Sequence, residues 1–181
     1  YEGFVAEENM LAIAVANGDE ELTKKFIDYG ASANPEILKL ALDADSPQIL
    51  DLVKAVSKNS SQVFEVVAAS NDEVLFDYFA NQGAVTITNE VLTTAISNDN
   101  INILKQALDS GGSVAFALNQ ALKLNNIDAI RLSLKKGGAA DSVFEYAASN
   151  NDFELYKELI EKYKGDSQLA LTTAVSLDKL E

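Results

Sequence analysis

The chain has no cysteine and no histidine among its 181 residues. The first absence excludes disulfides, thiolate metal sites and thiol nucleophiles. The second excludes imidazole-ligated zinc and every catalytic arrangement built on histidine. No apolar run approaches the roughly 18–20 residues that a bilayer-spanning helix requires. Basic residues are also scarce, with 14 Lys and Arg against 28 Asp and Glu, a formal net charge of −14. A broad basic face that would grip nucleic acid phosphates or an anionic membrane is therefore not expected, and neither is membrane insertion. What is present is ample material for a core, since 48% of residues are apolar. Charge is well dispersed, which argues against disorder. The chain begins Tyr-Glu-Gly-Phe without Met, so it reads as a fragment or a processed form, and any targeting segment would precede Tyr1. The compartment is left open, with a soluble intracellular or organellar setting favoured. One N-x-S triplet, Asn59-Ser60-Ser61, would matter only in a secretory compartment.

The chain repeats itself. A small apolar anchor recurs at Ala14, Ala41, Ala68, Ala95, Ala121, Ala147 and Ala174, at spacings of 26 or 27 residues. Four residues before each anchor stand Met10, Ile37, Phe64, Val91, Ala117, Val143 and Ala170. One residue after come Val15, Leu42, Ala69, Ile96, Leu122, Ala148 and Val175, and eight after come Leu22, Ile49, Phe76, Ile103, Ala129 and Leu155. The clearest pair of copies is Val91-Leu-Thr-Thr-Ala-Ile-Ser97 against Ala170-Leu-Thr-Thr-Ala-Val-Ser176. A period of this length signals a stacked array in which each unit buries its apolar face on its neighbours.

Within a unit the apolar spacing is helical, as in Val91, Leu92, Ala95 and Ile96. A polar break such as Asn98-Asp99-Asn100 follows, and then a second apolar stripe at Ile103, Leu104, Ala107 and Leu108. Asx and Ser residues at the breaks are expected to cap the second helices, with Ser46-Pro47 a strong start. Ser142-Val-Phe-Glu145 reads as a capping box for a first helix. Second helices are expected to stop at Gly30, Gly83, Gly111-Gly112, Gly137-Gly138 and Gly165, where glycine accepts the left-handed conformation. The second copy departs, with Ser57-Lys58-Asn59 in that place. The expected fold is all-α: a single domain, 1–181, forming a solenoid of helical hairpins. Its repeats lie at about 8–34, 35–60, 61–87, 88–113, 114–140 and 141–166, with a terminal helix in a partial unit at 167–181.

The pattern resembles the ankyrin repeat. The family's second half (an Ala-Ala pair, a Gly loop, spaced apolar residues, then Gly-Ala) is matched by Ala14-Val15, Gly18, Leu22, Phe26-Ile27 and Gly30-Ala31. The third copy gives Ala68-Ala69, Phe76 and Gly83-Ala84, and the sixth gives Ala147-Ala148, Leu155 and Leu159-Ile160. The Thr-Pro-Leu-His opening is absent from every copy, and units are about six residues shorter than usual, a deficit that falls where ankyrins carry a β-hairpin. The resemblance implies a divergent array with trimmed fingers. It also implies that the residue before the anchor and those two and three after it face the concave side. That face maps onto Asp43, Val67, Ser70, Asn71, Thr94, Ser97, Asn98, Gln120, Lys123, Tyr146, Ser149 and Asn150 as candidate partner-binding residues.

Motifs for chemistry are missing. The double glycines lack the spacing of a phosphate loop. Asp43-Ala-Asp45 and Asn98-Asp-Asn100 do not continue into a calcium-binding loop. No carboxylate pair stands out from 28 acids. The expectation is no enzyme, no cofactor and no metal site. Charge adds a regional signal: no basic residue lies between Lys58 and Lys105, while Glu65, Asp72, Glu73, Asp77, Glu90 and Asp99 do. An acidic surface of this kind would steer a basic protein partner. The expected function is a protein–protein interaction scaffold or a subunit of a larger assembly. The alternative is an acidic inhibitor or nucleic-acid mimic that occupies a basic site. The C-terminal flank is expected to be continued by further chain or by a partner.

Overall fold

Why the chain folds back on itself every dozen residues is written in its hairpin turns. A computed structural model describes residues 2–58, 60–82 and 86–177, with side chains from residue 8 onward. Gly83, the expected stop of one helix, and Asn59 of the glycosylation triplet lie outside the described residues. Those that are described form thirteen α-helices and one 3-10 turn (Ala140–Val143), with no strand among them. The helices are α1 (Glu2–Ala16), α2 (Glu20–Asp28), α3 (Pro35–Asp43), α4 (Pro47–Val56), α5 (Ser61–Ser70), α6 (Glu73–Ala80) and α7 (Asn89–Ser97). They continue with α8 (Ile101–Asp109), α9 (Val114–Lys123), α10 (Ile127–Lys135), α11 (Phe144–Ser149), α12 (Phe153–Glu161) and α13 (Ser167–Ser176).

Each hairpin turn uses two polar or small residues in a fixed order. The first takes the left-handed conformation that ends a helix: Gly18, Asp45, Asn71, Asp99, Asn125 and Asn151 all have φ between 51° and 68°. Outside glycine, Asn and Asp tolerate this region best because their short side chains bond locally. The next residue caps the second helix. Side-chain oxygens of Asp19, Ser46, Asp72, Asn100, Asn126 and Asp152 accept the backbone N–H groups of Leu22, Ile49, Leu75, Ile103, Ala129 and Leu155 at 2.9–3.3 Å. The backbone N–H groups of Asp19, Asn100, Asn126 and Asp152 also donate to the carbonyls of the anchors Ala14, Ala95, Ala121 and Ala147. One residue thus closes the first helix and opens the second.

The anchors fill the core. Ala14, Ala41, Ala68, Ala95, Ala121 and Ala147 are buried, and Ala174 in α13 is half-buried. Phe64, Phe76 and Phe144 are buried as well, with the Phe64 and Phe76 rings in an edge-to-face contact at 4.9 Å and 80°. At the first hairpin the expected core differs. Met10 and Leu22 are exposed, and Thr23 takes the buried place beside Leu22. No helix precedes α1 among the described residues, so nothing covers the side of α1 and α2 on which Met10 and Leu22 stand.

By contact the chain divides into two compact units, Tyr1–Val91 and Leu92–Glu181. In the first, α1 packs on α2 and α3, α3 on α4 and α5, α2 on α4, and α5 on α6. In the second, α9 packs on α10, α10 on α8, and α11 on both α12 and α13. First helices thus touch their own hairpin partner at α1, α3, α5, α9 and α11, and the next first helix at α1–α3, α3–α5 and α11–α13. Polar links join consecutive hairpins too. Asn126 Nδ2 donates to the Ile96 carbonyl at 3.2 Å and to Asp99 at 2.9 Å, and Lys136 pairs with Asp109. Replacing Asn126 by Ala removes the cap and both links, and a loss of about 1–2 kcal/mol is expected. Asn126→Asp keeps the cap but sets a second carboxylate beside Asp99, so urea melts should place it between Asn126→Ala and the parent.

Three expectations about helix ends need correction. Ser142 does not cap a helix: it lies in the 3-10 turn, where its Oγ donates to the Ala139 carbonyl, and Val143 stands at the start of α11 without a side-chain bond. Gly165 is not left-handed, because Lys164 takes that conformation (φ 58°). Glycine is needed at 165 for space, since a Cβ there would sit 2.6 Å from Phe144 Cζ. Gly137 and Gly138 divide the same two tasks, φ 92° at the first and, at the second, a Cβ that would meet the Ser133 carbonyl at 2.9 Å. In the second copy α4 ends differently, with Ser57 in extended backbone, bridged to Ala33, its Oγ donating to the Val53 carbonyl at 2.8 Å.

Candidate functional site

The candidate residues fall on the C-terminal halves and closing turns of first helices, and the two units hold them separately. In the first unit, Asp43 is the exposed last residue of α3. Ser70 ends α5 with its Oγ donating to the Val67 carbonyl at 2.8 Å, and Asn71 is the left-handed residue after it. Val67 is no surface residue: it is fully buried in α5, which removes it from the candidate set. Its position is half-buried in α3, α7, α9 and α11, and Ile13 at the same place in α1 is 60% exposed.

In the second unit, Thr94, Gln120 and Tyr146 occupy one equivalent position on α7, α9 and α11, and all three are half-buried. Ser97, Lys123 and Ser149 are the exposed last residues of the same helices, and Asn98 and Asn150 follow two of them, also exposed. Part of this polarity serves helix termination, as the Asn150 side chain donates to the Tyr146 carbonyl at 2.8 Å. Tyr146 is the large group in the set. Burial, and then the charge of Asp152, raise its hydroxyl above the ordinary value of 10.0. Tyr156 is raised likewise by burial, with a backbone hydrogen bond at Ala174 partly offsetting it. A tyrosine whose folded pKa exceeds its unfolded one contributes stability below the unfolded value, and that stability is lost as pH rises through the folded value. Ultraviolet titration of the six tyrosines should therefore show a late fraction ionising above pH 10, lost in the Tyr146→Phe, Tyr156→Phe double variant.

The acidic residues divide by task. Glu65 accepts from Thr88 Oγ1 at 2.7 Å, Asp72 caps α6, and Asp99 is both a left-handed residue and the acceptor of Asn126. Asp77 and Glu90 are exposed, and Glu73 opens α6, where the helix dipole favours an acid. Two open clefts of about 450 Å³ lie between consecutive hairpins. One, in the first unit, is lined by Asn34, Pro35 and Glu36 from the start of α3 and by Gln62, Glu65 and Val66 of α5. The other, in the second unit, brings Ser97 and Asp99 together with Leu124, Ile127 and Asp128. Leu124 is 44% exposed. Its equivalents in the fourth and sixth repeats are Asn98 and Asn150, so the repeat pattern does not single it out. Among the described residues no group of three or more Asp or Glu is placed to hold a metal ion. No helix among them is long and apolar enough to cross a membrane. Compared with family models, curated proteins and solved structures, the chain matches none.

Proposed function

We propose that the chain is a non-catalytic, ankyrin-like repeat solenoid that binds another protein, or holds its place in a larger assembly, through the polar side of its first helices. The observation that carries this reading is the cleft between the turns of α7 and α9. It puts Ser97, from the set of helix-face positions, beside Asp99, from the acidic set, around the half-exposed Leu124. An apolar contact ringed by polar groups and carboxylates suits a protein segment that offers one apolar side chain and a basic neighbour. Recurrence of exposed side chains at the ends of α7, α9 and α11 extends the same kind of surface, with Tyr146 as an aromatic anchor.

Acidic mimicry of nucleic acid is the second reading, favoured by the base-free stretch. It has less support, because Glu65, Asp72 and Asp99 each hold a hydrogen bond within the fold. A photo-crosslinking residue placed at position 124 tests the proposal. Adducts that form at 124, and not at exposed Lys105, and that weaken between about 50 and 500 mM salt, would support it. Equal labelling at both positions would overturn it, and displacement of the adduct by polynucleotide would favour mimicry instead.

A further inference from the structure

Of the hairpin turns, only the first uses glycine as its left-handed residue. Gly18 (φ 68°) stands where later repeats hold Asp45, Asn71, Asp99, Asn125 and Asn151. Space does not demand a glycine there, because a Cβ built on Gly18 would meet nothing within 4 Å. The residue before it is Asn17, and Asn98 and Asn150 hold the same place in the fourth and sixth repeats. Asn17-Gly18 is the one Asn-Gly pair in the chain.

That pair has a chemistry of its own. The backbone nitrogen after an asparagine can attack the side-chain carbonyl carbon, Cγ, closing a succinimide ring and releasing ammonia. Water then opens the ring at either carbonyl. The product is aspartate, or isoaspartate, in which the main chain runs through Cγ. A side chain on the following residue crowds the attack, and glycine has none. Asn17 is exposed, so water reaches it. We propose that Asn17 is a site of spontaneous deamidation, held in check by the closed turn between α1 and α2.

The check is geometric. The attacking group, the Gly18 N–H, donates to the Val15 carbonyl at 3.0 Å, and the Asn17 N–H donates to the Ile13 carbonyl at 3.0 Å. Attack needs the Gly18 nitrogen without its proton and turned onto Asn17 Cγ, so the turn must first open locally. Conversion then weakens what had opened. Aspartate at 17 sets a carboxylate at the C-terminal end of α1, where the helix dipole disfavours it, close to Asp19, Glu20 and Glu21. Isoaspartate adds a methylene to the main chain between the Ala14 carbonyl and the Asp19 N–H, which now meet at 3.0 Å. The first hairpin thus keeps an irreversible record of having opened. Asn98 and Asn150 sit in like turns, but the side chains of Asp99 and Asn151 after them slow the ring closure. The inference rests on this turn and not on the partner surface proposed above.

The test is peptide mass spectrometry of the 181-residue chain after incubation at neutral pH, native and in guanidinium chloride. In the unfolded chain, residue 17 should exchange amide for acid first, ahead of Asn98 and Asn150, giving two products of equal mass. In the native chain the same event should run at least roughly 10-fold more slowly. Asp19→Ala removes the acceptor of the Leu22 N–H, so it should speed the native reaction and leave the unfolded one unchanged. Gly18→Asn installs the residue that Asn125 and Asn151 supply in their turns, and should abolish the fast event in both states. Earlier conversion at Asn98 or Asn150 would overturn the proposal. So would equal rates at residue 17 in native and unfolded chain, or a fast event that persists in Gly18→Asn.

Discussion

Ala95→Asp is expected to lose about 3–5 kcal/mol, because it places an unpaired carboxylate at a fully buried position of α7. In a chain of this length that corresponds to a fall in melting temperature of roughly 10 °C or more. Nothing basic stands nearby in sequence, since Lys105 is the first base after Lys58. Burial raises the pKa of the introduced acid. The variant's deficit should therefore be smallest below about pH 3, where the acid is protonated in folded and unfolded chain alike, and should grow as pH rises through the unfolded value of about 3.9. Ser97→Asp, two residues on and exposed, is the matched control and should change stability by less than about 1 kcal/mol. Equal melts for the two variants would mean that the repeat register is wrong.

Phe76→Ala is the second large effect, expected at about 3–5 kcal/mol. The ring is fully buried in α6 and meets Phe64 edge-on at 4.9 Å. Truncation removes both the buried area and the ring contact, and the small neighbours cannot fill the space. Phe76→Leu should cost less, about 1–2 kcal/mol. A double-mutant cycle between Phe64→Leu and Phe76→Leu should return a coupling of roughly 0.5–1.5 kcal/mol, the part due to ring geometry. Phe153, which is 64% exposed and stands two residues before Leu155, the counterpart of Phe76, offers a contrast: Phe153→Ala should be nearly neutral. Urea titrations of these variants would check the whole set.

The hairpins were legible because their determinants are local. Apolar residues at helical spacing set each helix, and the Asx or Ser cap lies within three residues of the N–H it accepts, so both can be read in one short window. Positions whose state depends on a neighbouring hairpin were not. Leu22 has the spacing of a core residue, but among the described residues no helix precedes α1 to cover it. Val67 shares its position with the exposed Ile13 and the half-buried Leu40, Thr94, Gln120 and Tyr146, so nothing in its own repeat position marks it as the buried one. A glycine reads alike whether backbone angle or space demands it, and at Gly165 only the Phe144 ring decides. The acids were visible as charge, but not their duties, because Thr88 lies 23 residues from Glu65 and Asn126 lies 27 from Asp99. Leu124 was hidden for a plainer reason: Asn17, Asn71, Asn98 and Asn150 hold most of the equivalent places, so an apolar residue there carries no periodic signal.

The central claim is that the 26–27-residue period is a structural one, each anchor alanine buried in the same way. The absence of cysteine makes it directly measurable. Single Ala→Cys substitutions at positions 14, 41, 68, 95, 121, 147 and 174 add one small thiol each, and a maleimide probe reports access in the native state. The first six should react at least roughly 100-fold more slowly than an exposed control at Ser97→Cys, by the free energy needed to open the fold locally, and position 174 should fall between. Any of the first six reacting as fast as that control would contradict the account.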